Sequence, residues 1–317
     1  MTPRQLALLL VLSLIWGASF LFIKVVVEDT SPIALVQARM VFGALTMVAV
    51  MAWRRLSLAA PPAFMFKVAV LAVLSNVIPF LLISWGEIHI ASGLASVLNS
   101  STPLFTALFA AILLAEERLA PAAVAGLLVG FLGVIVLTGG DILDFTRADV
   151  LGQLAVVAAS ACYGLGAVFA RSLLRAKDPL SLAGLQLVLG SVVLIPALFA
   201  TAGGAPDYSL SAQAWGSLLA LGILGTGMAY IIFLWLLEAT GPVKASTVTY
   251  IIPIVGLFLG WAVLDESIGL NTVFGGALII GGVAMVTRSR GEGLATAEPS
   301  EGRVRAVGAG EAPKTGD

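Results

Sequence analysis

Apolar residues in this chain run together instead of alternating with polar ones. Continuous apolar stretches occupy residues 5–27, 33–53, 66–86, 92–115 and 121–139, then 150–174, 181–201, 212–237, 243–264 and 270–287. A helix needs about 20 residues to cross the hydrocarbon of a bilayer, and every stretch is near that length. A membrane barrel would show alternating segments of about ten residues. These runs are roughly twice as long and rich in Leu and Ala. The pattern predicts an all-α membrane protein with ten transmembrane helices. The first run exceeds the core of a signal peptide and no small-x-small cleavage site follows it, so it predicts a retained span.

Composition narrows the class. Of 317 residues, 59% are hydrophobic and 11% charged, against about 25% charged in a soluble domain. The mean hydropathy is +1.05. A net charge of −1 offers no basic surface for nucleic acid. The spans leave no room for a sizeable soluble domain. The one cysteine, Cys162, falls in an apolar run, and the one histidine is His89. They supply neither an intramolecular disulfide nor a conventional zinc site. No phosphate-binding GxxxxGK[ST] loop, HExxH or GxSxG occurs, so neither enzyme activity nor a cofactor or metal is expected. Residues 289–317, rich in Gly, Ala and charge without aromatics, predict a disordered tail.

Basic residues set the orientation. With the N-terminus in the cytoplasm, Arg4, Arg54, Arg55, Lys67, Arg118, Arg171, Arg175, Lys177, Lys244, Arg288 and Arg290 fall on the cytoplasmic side, and only Lys24, Arg39 and Arg147 on the outer side. Both termini are therefore expected inside, and the cell inner (plasma) membrane is the expected location. The polar break at 140–149, with Asp141, Asp144 and Asp149, becomes an external linker.

That break divides the chain into similar halves, 1–139 and 150–288. Pro103 and Pro253 are 150 positions apart, as are Trp85 and Trp235. Trp16-Gly17 matches Tyr163-Gly164, Lys24 matches Arg171 and Ser31-Pro32 matches Asp178-Pro179, all at an offset of 147. Glu117, Gly126 and Gly133 match Glu266, Gly275 and Gly282 at 149. Five spans is an odd number, so the second half is expected upside down relative to the first. Inverted repeats of this kind are a transporter architecture, with a site at the pseudo-two-fold axis.

On these residues the chain resembles the EamA-type members of the drug/metabolite transporter superfamily. The carriers of the resemblance are Trp16-Gly17-Ala18-Ser19-Phe20, Arg39, the two prolines, and the Glu117-Arg118-Leu119 block repeated as Glu266-Ser267-Ile268. The resemblance implies ten helices in two inverted repeats, with spans 1–4 and 6–9 around a central cavity and spans 5 and 10 peripheral. It also implies carriage of small metabolites, often amino acids, often outward. Gln186 stands where the repeat would put a partner for Arg39, so the half-sites are unequal.

Charges inside a membrane are functional candidates. Trp16, Phe20 and Lys24 follow i, i+4, i+8 spacing and share a helix face. That face is expected to line the cavity, with Lys24 or Arg39 attracting a substrate carboxylate. Alternatively Lys24 snorkels to headgroups or pairs with Glu28, and Arg39 clamps a neighbouring helix. Asn76 and Asn99, with Tyr250 and the hydroxyls near it, are polar at membrane depth; Pro103 and Pro253 free carbonyls near Asn99 and Thr249. They suit a zwitterion's ammonium group or interhelical hydrogen bonds. Trp16 and Tyr163 fall within their spans and suit a cavity wall. Tyr230 is a further candidate, and Trp85 and Trp235 suit the interfacial belt. Glycines in spans 5 and 10 suit close packing, or dimerisation of two copies. The acids are expected near helix ends, with no carboxylate buried at mid-membrane. The expected partners are the lipid bilayer and a small amphiphilic substrate. The rival functions are efflux of organic cations and an integral-membrane enzyme acting on a lipid-linked substrate.

Overall fold

The computed structural model describes all residues except 115–118, 140–143, 145, 175–176, 203–205 and 297–317. The described residues form helices and no strand. They are α1 (Pro3–Asp29), α2 (Pro32–Trp53), α3 (Pro62–His89), α4 (Ser92–Leu113), α5 (Pro121–Thr138), α6 (Ala148–Leu174), α7 (Pro179–Ala202), α8 (Ala212–Thr240), α9 (Val248–Leu264) and α10 (Leu270–Thr296). Nine carry a segment long and apolar enough to cross a bilayer, and α9 is a shorter apolar helix preceded by one turn at Pro242–Ala245. Glu117 and Asp141 lie outside the described residues. The tail differs from expectation: α10 continues to Thr296, past residue 288.

Local chemistry starts these helices where the sequence places breakers. Thr2 and Gln5 form a capping box at α1, and Ser31 caps α2 ahead of Pro32. Several serine hydroxyls inside the spans donate back to carbonyls three or four residues earlier, as Ser13 does to Leu9 and Ser19 to Ile15. Those hydroxyls are thus satisfied without water.

Two helices are interrupted by π-helical segments, Val73–Val77 in α3 and Ala220–Met228 in α8. They occupy related positions in the two halves. At each, an i→i+5 bond replaces the usual ladder, as from Ile78 to Val73 and from Ala229 to Leu224. Such insertions are rare and concentrate at functional sites.

Hydrogen bonds fix which ends meet. We call the end where α1 begins proximal and the other distal. Proximally, Gln5 donates to the Ala239 carbonyl at the end of α8, and Lys177 to that of Ala59. Distally, Thr30 donates to the Asp207 carbonyl, and the Ser211 amide to Asp29. Successive helices therefore run up and down.

The halves pack through crosswise contacts. A Cβ on Gly17 of α1 would lie 2.6 Å from Val255 of α9. A Cβ on its counterpart, Gly164 of α6, would lie 2.7 Å from the Thr106 backbone of α4. The glycines of α5 and α10 face each other: a Cβ on Gly133 would meet the Gly275 carbonyl at 2.7 Å, and one on Gly282 the Gly126 carbonyl at 2.5 Å. The close packing these glycines permit is made within the chain. α5 and α10 form a peripheral pair, leaving the other eight helices around the centre.

Candidate functional site

A cavity of about 400 Å³ lies between the halves, within the range for small-molecule sites. α1, α2, α3, α4, α6, α7, α8 and α9 all contribute to its wall. Of the ten candidates from the sequence, Trp16, Phe20, Arg39, Asn99, Tyr163, Gln186 and Tyr230 line it. A larger crevice of about 540 Å³ opens at the proximal end, between Arg4, Arg54, Asp178 and Glu238. Its charges sit among helix ends, whereas the central cavity gathers polar groups from both halves.

Arg39 dominates that cavity. It is 5% exposed. Its guanidinium lies over the Phe80 ring, 3.8 Å from the centroid, which favours the cation electrostatically. Nε donates to Thr226 Oγ1 at 3.0 Å, and Thr226 passes its own proton to the Leu221 carbonyl at 2.9 Å. That second bond spans five residues, so the π-segment of α8 presents the threonine to Arg39. The two terminal nitrogens donate to no group among the described residues. A planar fork fixed at one edge and free at the other matches a carboxylate.

The second polar cluster is built by the π-segment of α3. Asn76 is fully buried, and its amide nitrogen donates to Tyr230 Oη at 3.0 Å. Its Oδ1 accepts from Gln186 Nε2. Asn76 thus stands behind the wall and fixes Gln186 and Tyr230, which face the cavity. Gln186, the residue standing opposite Arg39 in the repeat, belongs to this neutral network.

Acceptors lie on another wall. Asn99 Oδ1 is buried with no partner. α4 is interrupted between Asn99 and Thr102. The Asn99 carbonyl freed there is taken by the hydroxyls of Thr102 and Ser160, at 2.9 and 3.4 Å. It is the side chain, not the carbonyl, that remains available. Thr249 also lines the cavity, four residues before Pro253, where the helix ladder lacks a donor.

Aromatic groups close the remainder. Trp16 Nε1 donates to the Gly225 carbonyl at 3.2 Å, in the same π-segment, and its ring meets Phe233 at 5.4 Å. Phe80 and Tyr163 meet edge to face at 6.5 Å.

Two candidates lie elsewhere. Lys24 is not among the residues that line the cavity, and among the described residues it forms no pair with Glu28. Its ammonium donates to the carbonyls of Glu87 and Ile90 at 2.5 and 3.0 Å, capping the C-terminus of α3. Tyr250 turns towards α10, where its hydroxyl donates to the Val283 carbonyl at 3.4 Å. Glu87 lies two residues from the end of α3, near a helix end as expected, and is 0% exposed. Sequence reading missed Phe80 and Thr226. The Gly-Thr-Gly run at 225–227 was the available signal for Thr226. A Cβ on Gly43 would lie 2.6 Å from Thr226 Cγ2, so glycine lets α2 approach α8 closely enough for Arg39 to reach it.

Comparison with known proteins assigns this architecture. The model of the EamA-like transporter family matches residues 4–139 and again 150–288. The chain belongs to the EamA-like transporter family. An uncharacterized transporter of Archaeoglobus fulgidus is 32% identical over 279 residues, covering 87% of this chain and 95% of that protein. A protein of Streptantibioticus cattleyicolor named a probable terminal-alkyne amino-acid exporter is 31% identical over 209 residues, 65% of this chain and 68% of that one. A solved crystal structure superimposes with a TM-score of 0.65 at 22% identity, covering 91% of this chain and 99% of the other, which supports the fold. The chain is thus a multi-pass membrane transporter of the EamA-like family.

Proposed function

We propose that this EamA-like chain carries small amphiphilic metabolites, amino acids or close relatives, outward across the inner (plasma) membrane by alternating access. Its two halves are inverted repeats around the central cavity. The observation that carries the substrate class is the half-free guanidinium of Arg39 facing a cavity that also holds the unpartnered Asn99 Oδ1. A zwitterion has the complementary pair, a carboxylate for Arg39 and an ammonium for Asn99 and the Thr249 carbonyl. Trp16, Phe20, Phe80 and Phe233 would hold an apolar or aromatic side chain.

Several contacts favour inversion. The crosswise glycine contacts of α1 on α9 and α6 on α4, and the paired π-segments, are what two similar halves of opposite sense produce. The basic-residue bias puts the proximal end in the cytoplasm. Outward direction follows the exporter among the relatives.

The test is flux. Purified protein in liposomes is loaded with unlabelled amino acids and challenged with radiolabelled ones. Saturable counterflow in wild type, with affinity lost in Arg39→Lys, is the expected result. Absence of flux for every amino acid, or normal affinity in Arg39→Lys, defeats this reading. Flux confined to organic cations, unaffected by Arg39, would instead favour the cation-efflux rival.

A further inference from the structure

Arg39 and Glu87 are the two charged side chains that are fully buried among the described residues, and the transport reading uses only the first. Both carboxylate oxygens of Glu87 are buried without a hydrogen-bond donor. Among the described residues no lysine, arginine or histidine forms an ion pair with it. Lys24 is adjacent, but its ammonium is engaged by the backbone carbonyls of Glu87 and Ile90.

The place of this carboxyl is specific. Phe80, Ile83 and Glu87 follow i, i+3, i+7 spacing and share one face of α3. The first two line the cavity. Glu87 is the next group on that face, one turn beyond the distal limit of the cavity. On α1, Ile23 lines the cavity and Lys24 follows it. The seal beyond is tied by charge on both sides of the α3–α4 turn. Lys24 holds the last carbonyls of α3. Glu266, from the turn after α9, accepts the Ser92 and Gly93 amides at 2.6 and 2.9 Å and so caps α4. Separating α1 from α3 would break the Lys24 tie and bring cavity water to the Glu87 carboxyl.

A carboxyl that is dry and without a donor in one conformation, and wet in the other, has different proton affinity in the two. A dry ionised carboxylate is far costlier than a dry neutral one. By linkage, the conformation that excludes water then binds the proton. The charged groups whose fields reach the site are Lys24 of α1, Arg39 of α2 and Glu266. His89 follows on α3 itself, and α6 contributes Tyr163 and the exposed Asp149, which is paired with Arg147. α4 contributes none.

We propose that Glu87 is a proton-binding site that meets water only when the distal gate opens, so that proton occupancy closes that gate. The proposal rests on the alternating-access reading. It makes the gate, rather than the substrate pocket, the place where a proton gradient would couple to transport.

The test uses the full chain in intact cells, with Cys162→Ala as background and Val26→Cys as reporter. Val26 is 0% exposed near the distal end of α1. A membrane-impermeant maleimide is applied from outside at varied pH, and each rate is divided by that of the same reporter carrying Glu87→Gln. The division removes the titration of the thiol itself. The ratio is expected to rise with pH, by at most about tenfold per pH unit for one proton, and Glu87→Asp should keep the rise. Identical profiles with and without Glu87 would overturn the proposal. So would a response to sodium at constant pH with none to pH. Should Glu87→Gln fold poorly, Lys24→Met serves, with each Val26→Cys rate divided by that of a separate reporter, Glu28→Cys, at an exposed position: the ratio should increase at every pH and still rise with pH, and a flat ratio with Glu87 intact counts against the site. Labelling needs no substrate. Missing flux would therefore defeat the transport reading, whereas a flat profile in a chain that carries flux would defeat only this proposal.

Discussion

The two ends of the molecule are built from the same helices but are not in the same condition. At the distal end α1 packs on the second half of α3, with Lys24 and Glu266 gripping the turn between α3 and α4. Among the described residues the corresponding proximal pair, α6 and the second half of α8, makes no comparable contact. Between them the cavity reaches Gly166, Ala167 and Ala170 of α6 and Phe233 of α8. Similar sequences have thus settled into a closed pairing in one half and an open one in the other. The difference teaches that the pairing is not dictated by the helices alone. On the alternating-access reading proposed above, each half would adopt either pairing in turn, and the two packings would have similar energy.

Changes that break this comparison should act unequally, and the largest effect is expected at Arg39. Replacing Arg39 with Ala removes the stacked guanidinium and leaves Thr226 facing an emptied site. Substrate affinity should fall roughly 10- to 100-fold, as for loss of a charge-assisted hydrogen bond, read by ligand-induced thermal shift. Gln186→Leu, at the matching position of the second half, should cost less, because Gln186 belongs to a neutral network.

Packing gives the next effect. Gly282→Ala places a methyl group 2.5 Å from a backbone oxygen of α5. Overpacking of this kind costs about 1–3 kcal/mol and should lower the melting temperature in detergent without changing relative substrate preference. Gly281→Ala on the same helix meets nothing within 4 Å and should leave the melting temperature unchanged.

Glu266→Gln sharpens the comparison of ends. It keeps the shape but removes the charge from the cap on α4, worth about 0.3–1 kcal/mol at an exposed helix terminus. Labelling of Val26→Cys from the distal side should rise severalfold. The smallest change is expected for Tyr250→Phe, whose hydroxyl makes one long bond away from the cavity. Affinity should stay within about twofold, and a larger loss would return Tyr250 to the binding site.

Much of this arrangement could be read from the chain. Helix number and position followed from the lengths of the apolar runs, because lipid offers no partner for an unpaired backbone. Trp16 and Tyr163 emerged from matching repeat offsets, and Arg39 from being a charge inside a span. Other features left no periodic trace. A π-segment changes the hydrogen-bond register without changing hydropathy, so Asn76 was assigned to the wall instead of the layer behind it, and Thr226 was overlooked. Glu87 sits two residues from the end of α3 and reads as an interfacial acid. Its seal comes from α1, α6 and the turn after α9, which are distant in sequence. Lys24 went the same way: its acceptors are backbone carbonyls that no side-chain pattern announces.

The most direct measurement follows both ends at once. Paired spin labels at Ser172 and Glu238 report the proximal separation of α6 from α8, and labels at Glu28 and Ile88 the distal separation of α1 from α3. Under conditions that drive flux, the proximal distance should shorten in the same population in which the distal distance lengthens. Flux with both distances fixed, or with both changing in the same direction, would contradict a carrier whose two halves exchange packings.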